Sequence, residues 1–336
     1  MSIRVGINGF GRIGKVVFRV LQQHPNIEVV GINDPADIHT LAYLLKYDTV
    51  HGRFNGTVEV KSDDILLVNG KPIRFTRERN IENLHWDALD VDVVVDSSGL
   101  ATHRTMLEKH LQAGAKKVIL SCPPDDDTFD KVIVIGVNDH ILTSSDKVVS
   151  NASCTTNCLA PALKILDDAI GIESGFMNTV HPFTNNQRIL DAPHSEYRRS
   201  RASAANIIPT TTSAIRALGM VMPYMKGKIE GIATRVPVVD GSLIELVLNL
   251  KQDTSAEAIN RLMKTAAEGA YKGILEYTED PIVSSDVINN PHSTIFDARA
   301  TKMIGNKFAQ LIIWYDNEFG YSNRVVDLIE LISNIK

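Results

Sequence analysis

The sequence predicts a two-domain α/β protein: a doubly wound parallel sheet in the first half, then an α+β domain with a mostly antiparallel or mixed sheet. Three observations lead there. Up to residue 151, near-continuous apolar runs suit strands covered on both faces. A glycine-rich turn joins the first of these runs to a helical pattern. Beyond Cys154 the apolar runs lengthen and helical patterns become scarce, as in an antiparallel or mixed sheet. A chain of 336 residues is also too long for one small core.

The elements follow in order. Ile3–Asn8 is apolar, residues 11–21 carry Ile13, Val16, Val17, Val20 and Leu21 at helical spacing, and Ile27–Asn33 is β-branched. That is one β-α-β unit. Residues 57–75 alternate and contain Asn69-Gly70, so a small antiparallel hairpin insertion is expected. Residues 91–96, 117–121, 132–137 and 148–151 read as buried strands, and 159–170 as a helix. Residues 175–181, 228–236, 243–250 and 308–315 read as longer strands; 213–221, 256–268 and 322–335 read as helices. Between them, 182–209 is polar and arginine-rich without a period, and a stretch that long is usually functional.

Composition narrows the function. Net charge is −5 and no basic block stands out, so no nucleic-acid footprint is expected. No apolar stretch is long enough to span a bilayer, and Met1-Ser2-Ile3-Arg4 runs into a strand without a leader pattern. The three cysteines, Cys122, Cys154 and Cys158, have neither framework nor zinc spacing. Free thiols in a reducing, cytoplasmic setting and no metal are the expectation.

Two motifs carry chemistry. Gly9-Phe10-Gly11-Arg12-Ile13-Gly14 matches G-x-G-x-x-G between strand and helix, and Asp34 stands twenty residues past Gly14. Gly9 permits the tight turn, Gly11 lets backbone approach a pyrophosphate, and Gly14 allows close helix–strand packing. Asp34 suits an adenosine ribose and repels a 2′-phosphate, favouring NAD over NADP. The alternative is a glycine-rich turn that binds no dinucleotide. The second motif is Ser150-Asn151-Ala152-Ser153-Cys154-Thr155-Thr156-Asn157-Cys158. A thiol at a helix N-terminus faces unpaired N–H groups, which favour the nucleophilic thiolate; a buried small residue in a helix cap is the plainer reading. His181, before Pro182, is either structural or a proton partner of Cys154. Arg198, Arg199, Arg201 and Arg235 are candidate anion ligands, with a solvated or intersubunit loop the alternative for the first three. Thr210-Thr211-Thr212-Ser213 precedes a helix and suits either an anion site or an N-cap.

Together with Ile32-Asn33-Asp34, Ile207-Ile208-Pro209 and Trp314-Tyr315-Asp316-Asn317-Glu318, these motifs resemble the glyceraldehyde-3-phosphate dehydrogenase family along essentially the whole chain. The resemblance implies a Rossmann-type NAD-binding domain over 1–152, completed by a C-terminal helix over 317–336, and a catalytic domain over 153–316. It implies Cys154 as nucleophile and His181 as its partner, with Thr184 and Arg235 on the phosphate of a sugar-phosphate substrate. Ser153, Thr155 and Thr212 would line the site of inorganic phosphate, with Ser213 where a glycine is common; Arg199 is counted with these anion ligands. Arg12 and Ile13 would lie along the pyrophosphate, Asn317 would hold the carboxamide, and Ser121 joins the cofactor contacts. A homotetramer is implied, the loop 182–209 reaching a neighbouring subunit. Erythrose-4-phosphate dehydrogenase shares these motifs, and a non-catalytic NAD-binding interaction protein needs only the fingerprint. Asn186 stands where many bacterial members have aspartate, and Ala192 where many NAD-specific ones have leucine; Pro291-His292-Ser293 resembles the erythrose-4-phosphate and gluconeogenic branches.

Overall fold

The computed structural model describes residues 2–335, which form two compact units. The first comprises the residues up to Ile133, Asp139–Ala152 and those from Ser322 onward; the second comprises Val134–Asn138 and Ser153–Tyr321.

The first unit is built on nine strands: β1 (Ile3–Asn8), β2 (Ile27–Asn33), β3 (Val58–Ser62), β4 (Ile65–Val68), β5 (Lys71–Thr76), β6 (Val93–Asp96), β7 (Lys117–Leu120), β8 (Lys131–Val132) and β9 (Val148–Ser150), in the order β3-β4-β5-β2-β1-β6-β7-β9-β8. From β5 to β8 every pairing is parallel. Strand order reverses beside β1, which opens the crevice where such sheets bind ligands. The expected insertion is the antiparallel run β3-β4-β5. Asn69 and Gly70 have φ of 52° and 77°, the left-handed pair that a tight hairpin turn matched to strand twist requires.

Helices α1 (Arg12–Leu21), α2 (Ile38–Lys46) and α3 (Arg104–Gln112) belong to this unit. The sequence reading misses α2 and α3. The first had its signals: Ile38, Leu41, Ala42 and Leu45 make one buried stripe, and Asp37 accepts from Thr40 N. The second buries only Leu107 and His110, too few for a period. The strand read over 132–137 contracts to β8, because Asn138 Oδ1 captures Val134 N at 2.9 Å and Gly136 turns at φ 82°.

A buried polar chain ties together the carboxyl ends of four parallel strands. Trp86 Nε1 donates to His110 Nδ1 at 3.0 Å, and His110 Nε2 meets Asp96 Oδ2 at 3.0 Å. Asn8 Nδ2 donates to the same Asp96 oxygen at 2.8 Å, Asn33 Nδ2 to Asn8 Oδ1 at 2.8 Å, and Thr76 Oγ1 to Asn33 Oδ1 at 2.8 Å. An indole N–H only donates, so His110 Nδ1 must accept and Nε2–H faces the carboxylate. β6, β1, β2 and β5 are thereby held together beneath the glycine-rich turn.

In the second unit, α4 (Cys154–Ala169) precedes β10 (Ile172–Pro182), β11 (Ile208–Thr210), α5 (Ala214–Val221), β12 (Ile229–Val236), β13 (Ser242–Leu250), α6 (Ala256–Glu268), β14 (Leu275–Thr278), β15 (Thr294–Asp297), β16 (Lys302–Ile304) and β17 (Phe308–Tyr315). The sheet runs β11-β12-β10-β13-β17-β15-β14, with β16 added beside β17. β10 is antiparallel to β13 but parallel to β12, and β14 is parallel to β15, so the sheet is mixed as expected. Alternation on β13 buries Ile244, Leu246, Leu248 and Leu250. The stretch 182–209 holds one short turn of helix, Tyr197–Ser200. The last helix, α7 (Phe319–Asn334), starts earlier than its apolar period because Asp316 Oδ1 accepts from Glu318 N and Phe319 N at 2.8 and 2.6 Å. Among the described residues no helix is long and apolar enough to cross a membrane.

His110→Leu should strand the buried Trp86 indole N–H and take one donor from the buried Asp96 carboxylate. The expected loss is about 3 kcal/mol of stability, read from a denaturant titration; an unchanged midpoint would show that the chain of hydrogen bonds does not hold the strands.

Candidate active site

Ala152 adopts φ 53° just before α4, a left-handed conformation that alanine rarely takes. Ser153 then caps the helix: its Oγ accepts from Thr156 N at 2.9 Å and lies 2.6 Å from Thr156 Oγ1. Cys154 is therefore the first helical residue, among N–H groups with no intrahelical partner.

His181 comes from the far end of β10. Its Nε2 lies 3.6 Å from Cys154 Sγ, the proximity that the proton-partner reading of this histidine needs. Arg235, on β12, is the register partner of His181 across a parallel pair. Its Nη1 lies 2.7 Å from His181 Nδ1 and donates to Pro182 O at 2.9 Å.

Tyr315, at the end of β17, fixes the thiol against the imidazole. Its hydroxyl lies 2.9 Å from Thr155 Oγ1 and 2.8 Å from Thr179 Oγ1. Thr155 follows Cys154, and Thr179 stands two residues before His181 on the same face of β10. The tyrosine ring also meets the imidazole edge-on, centroids 6.1 Å apart. Tyr315 and Thr179 had no role in the sequence reading. Tyr315 is marked only as a member of the Trp314–Glu318 motif and Thr179 by no local pattern, because their partners are distant in the chain.

Electrostatics depart from the helix-terminus expectation. Burial pushes the Cys154 thiol above its ordinary value, more than Arg235 and the hydrogen bonds at Thr155 draw it down. Burial, reinforced by the Arg235 charge, holds His181 down to about 3. Arg235 itself is lowered, by burial first, with Arg199 adding a like charge.

The other predicted anion ligands are placed as follows. Thr155 is buried in the Tyr315 bridge, and Ser153 caps α4. Thr212 Oγ1 accepts from Ala214 N at 3.2 Å, capping α5, while Ser213 makes no side-chain cap. Arg199 donates to Thr210 Oγ1 at 2.9 Å and to Thr211. Thr184 is exposed, its N–H directed at Gln187 Oε1. None of Thr184, Arg199, Thr212 and Ser213 hydrogen-bonds Cys154 or His181.

In the first unit the fingerprint residues fit a dinucleotide. A Cβ on Gly9 (φ 89°) would lie 2.4 Å from Ser98 N, and one on Gly14 would lie 2.1 Å from Gly9 O. These two glycines serve packing. A Cβ on Gly11 would meet nothing within 4 Å, and no side chain caps α1 there. An open space at an uncapped helix N-terminus suits a pyrophosphate. Asp34 Oδ2 accepts from Phe10 N at 2.7 Å and Oδ1 from Ala36 N at 2.9 Å, which orients the carboxylate at the end of β2. Arg12 is drawn aside to Asp48 at 2.6 Å, which leaves its backbone and that of Ile13 at the helix start. Ser121 follows β7, its N–H bonded to Asp96 O. Asn317, in the second unit, has Oδ1 fixed by Ser242 Oγ at 2.8 Å, so its amide nitrogen is oriented.

Tyr315→Phe keeps the ring but removes the bridging hydroxyl from two buried threonines. A loss of about 1–3 kcal/mol is expected, measured by denaturant unfolding; no loss would mean the bridge does not tie β17 to α4 and β10.

Comparison with known proteins gives family matches in both units. The model of the glyceraldehyde 3-phosphate dehydrogenase NAD binding domain matches residues 3–104, and that of the C-terminal domain matches residues 153–317. The chain is 51% identical over 335 residues to a glyceraldehyde-3-phosphate dehydrogenase of Geobacillus stearothermophilus, covering 99% of both. It is 50% identical over 334 residues to glyceraldehyde-3-phosphate dehydrogenase 1 of Bacillus subtilis, and 50% over 337 residues to the Streptomyces coelicolor enzyme, again covering 99% of each. With a thiol set against an imidazole in one unit, a dinucleotide fingerprint in the other, and matches spanning both, this chain belongs to the glyceraldehyde-3-phosphate dehydrogenase family.

Proposed function

We propose that the chain catalyses NAD-dependent, phosphorylating oxidation of glyceraldehyde 3-phosphate to 1,3-bisphosphoglycerate, a step of sugar metabolism in the cytoplasm. The observation that carries this reading is Cys154 Sγ at 3.6 Å from His181 Nε2, with Arg235 behind the ring. Cys154 attacks the aldehyde carbon to form a thiohemiacetal, and the thiol proton passes by way of His181 to the former carbonyl oxygen. NAD, when bound, supplies the hydride acceptor; Gly9, Gly11, Arg12, Ile13, Gly14, Asp34, Ser121 and Asn317 are the residues that would hold it. As hydride leaves the thiohemiacetal carbon, His181 takes the proton from its hydroxyl, and the acyl group stays on Cys154 as a thioester. Inorganic phosphate attacks it and releases the acyl phosphate. Holding both partners makes that attack effectively unimolecular.

Burial first lowers Arg235, and Arg199 adds a like charge, which supports anion binding at these guanidinium groups. We assign Arg235 and Thr184 to the substrate phosphate, and Ser153, Thr155, Arg199, Thr212 and Ser213 to the attacking phosphate. The first unit serves as the NAD-binding domain and the second as the catalytic domain. A homotetramer is supported by exposed apolar groups on the second sheet and on the loop 182–209: Phe176 is 69% exposed, Ile232 50% and Tyr197 90%. The four-carbon alternative gains nothing from His292, which is bound to Glu276 and Asn290.

Cys154→Ser should abolish oxidation while NAD binding, measured by calorimetry, survives. His181→Asn should lower turnover about 10²–10⁴-fold, the scale of acid–base assistance; near-normal turnover in either variant overturns its role. Assayed with three- and four-carbon aldehyde phosphates, the enzyme should prefer the three-carbon substrate and require inorganic phosphate. Phosphate-independent turnover of the four-carbon sugar would overturn the reading.

A further inference from the structure

Lys15, the fourth residue of α1, is only 6% exposed. A lysine is rarely buried to that degree, and its charge then needs polar contacts. Side chains on a helix lean toward its N-terminus. Lys15 does so: its Nζ donates to Phe10 O at 2.9 Å and lies 5.9 Å from the centre of the Phe10 ring. That ring is itself buried and meets Phe18 edge-on, centroids 5.6 Å apart. The ammonium is therefore built in behind the glycine-rich turn.

The peptide groups of that turn are held differently. Between Gly9 and Phe10 the peptide is gripped at both ends: Ser97 Oγ donates to Gly9 O at 2.6 Å, and Phe10 N donates to Asp34 Oδ2 at 2.7 Å. Between Phe10 and Gly11 it is gripped at one end. The carbonyl accepts from Lys15, while the N–H of Gly11, an exposed residue, has no acceptor among the described residues. A trans peptide sets N–H opposite C=O, so fixing the carbonyl aims this N–H away from Lys15. Space is open there, since a Cβ on Gly11 would meet nothing within 4 Å. A hydrogen bond from a charged donor also polarises the peptide and makes its N–H a better donor. The positive end of the α1 dipole acts on an anion in the same direction.

We propose that Lys15 is a positioning residue for the cofactor's pyrophosphate: its buried ammonium pins the Phe10–Gly11 peptide so that Gly11 N–H donates to a pyrophosphate oxygen, and it supplies positive charge behind that donor. The role is exercised through the turn. It rests on the pyrophosphate lying at the start of α1. The ribose end is held separately, because Asp34 stands past β2 and its other oxygen accepts from Ala36 N at 2.9 Å. Loss of Lys15 should therefore weaken recognition of the phosphates and spare that of the nucleoside.

The test is calorimetric binding to the full-length protein freed of bound nucleotide, with ADP-ribose as the probe and adenosine, which has no phosphate, as the control. The wild-type protein should bind ADP-ribose more tightly than adenosine. Lys15→Met keeps an apolar stem but neither charge nor donor. Its affinity for ADP-ribose should fall about 10–100-fold, the scale of a hydrogen bond to a charged group, while that for adenosine holds. Lys15→Gln keeps a donor without the charge and should move the ratio in the same direction. Wild-type affinity of Lys15→Met for ADP-ribose overturns the proposal. An equal loss for ADP-ribose and adenosine also overturns it, since that marks a collapsed turn. If Lys15→Met does not fold, Lys15→Gln decides by the same two outcomes. A wild-type protein that binds ADP-ribose no better than adenosine overturns the placement of the pyrophosphate at α1, and the role of Lys15 with it.

Discussion

The hydroxyl of Tyr315 is the contact on which the second unit's chemistry depends. It bridges Thr155 and Thr179 at 2.9 and 2.8 Å and so ties the start of α4 and the end of β10 to β17. A thiol and an imidazole on separate elements keep a working distance only if both are referenced to one fixed point. The hydroxyl is such a point: it is buried, and it both donates and accepts, so each threonine can be satisfied. The register brings the pieces into range, since β13 pairs with β10 on one side and with β17 on the other.

Burial sets the electrostatic character of the site. Desolvation disfavours the charged form of both partners, raising the thiol and lowering the imidazole. The helix N-terminus acts in the opposite direction but does not prevail. Arg235 is the side chain that touches both the ring and its neighbouring carbonyl.

In the first unit the organising constraint is the chain from Trp86 through His110, Asp96, Asn8 and Asn33 to Thr76. Polar groups buried at strand ends are costly unless every donor and acceptor is matched. Here the matching sets how β6, β1, β2 and β5 align, and hence the shape of the turn at Gly9. The three glycines then divide their work. Two sit where a Cβ would collide with backbone, and Gly11 sits where a Cβ would meet open space.

What the sequence determined by itself was local or periodic. The alternation and apolar runs made both sheets legible, and the Asn69-Gly70 pair marked its hairpin. The fingerprint and the Cys154 cap were legible because their residues are adjacent in the chain. Strand 132–137 was misread because an asparagine side chain ended it, and α3 was missed because so little of it is buried. Tertiary structure alone decided whether His181 meets Cys154, since 27 residues separate them. It also revealed Tyr315 and Thr179, whose hydroxyls meet across 136 residues, and the seat of Arg235 on the imidazole. Each of these depends on strand register across a sheet, which no pattern within one strand encodes. The direction of the Cys154 pKa lay beyond the sequence for the same reason. A helix terminus can be read from neighbouring residues, whereas the desolvation that outweighs it comes from everything packed around the thiol.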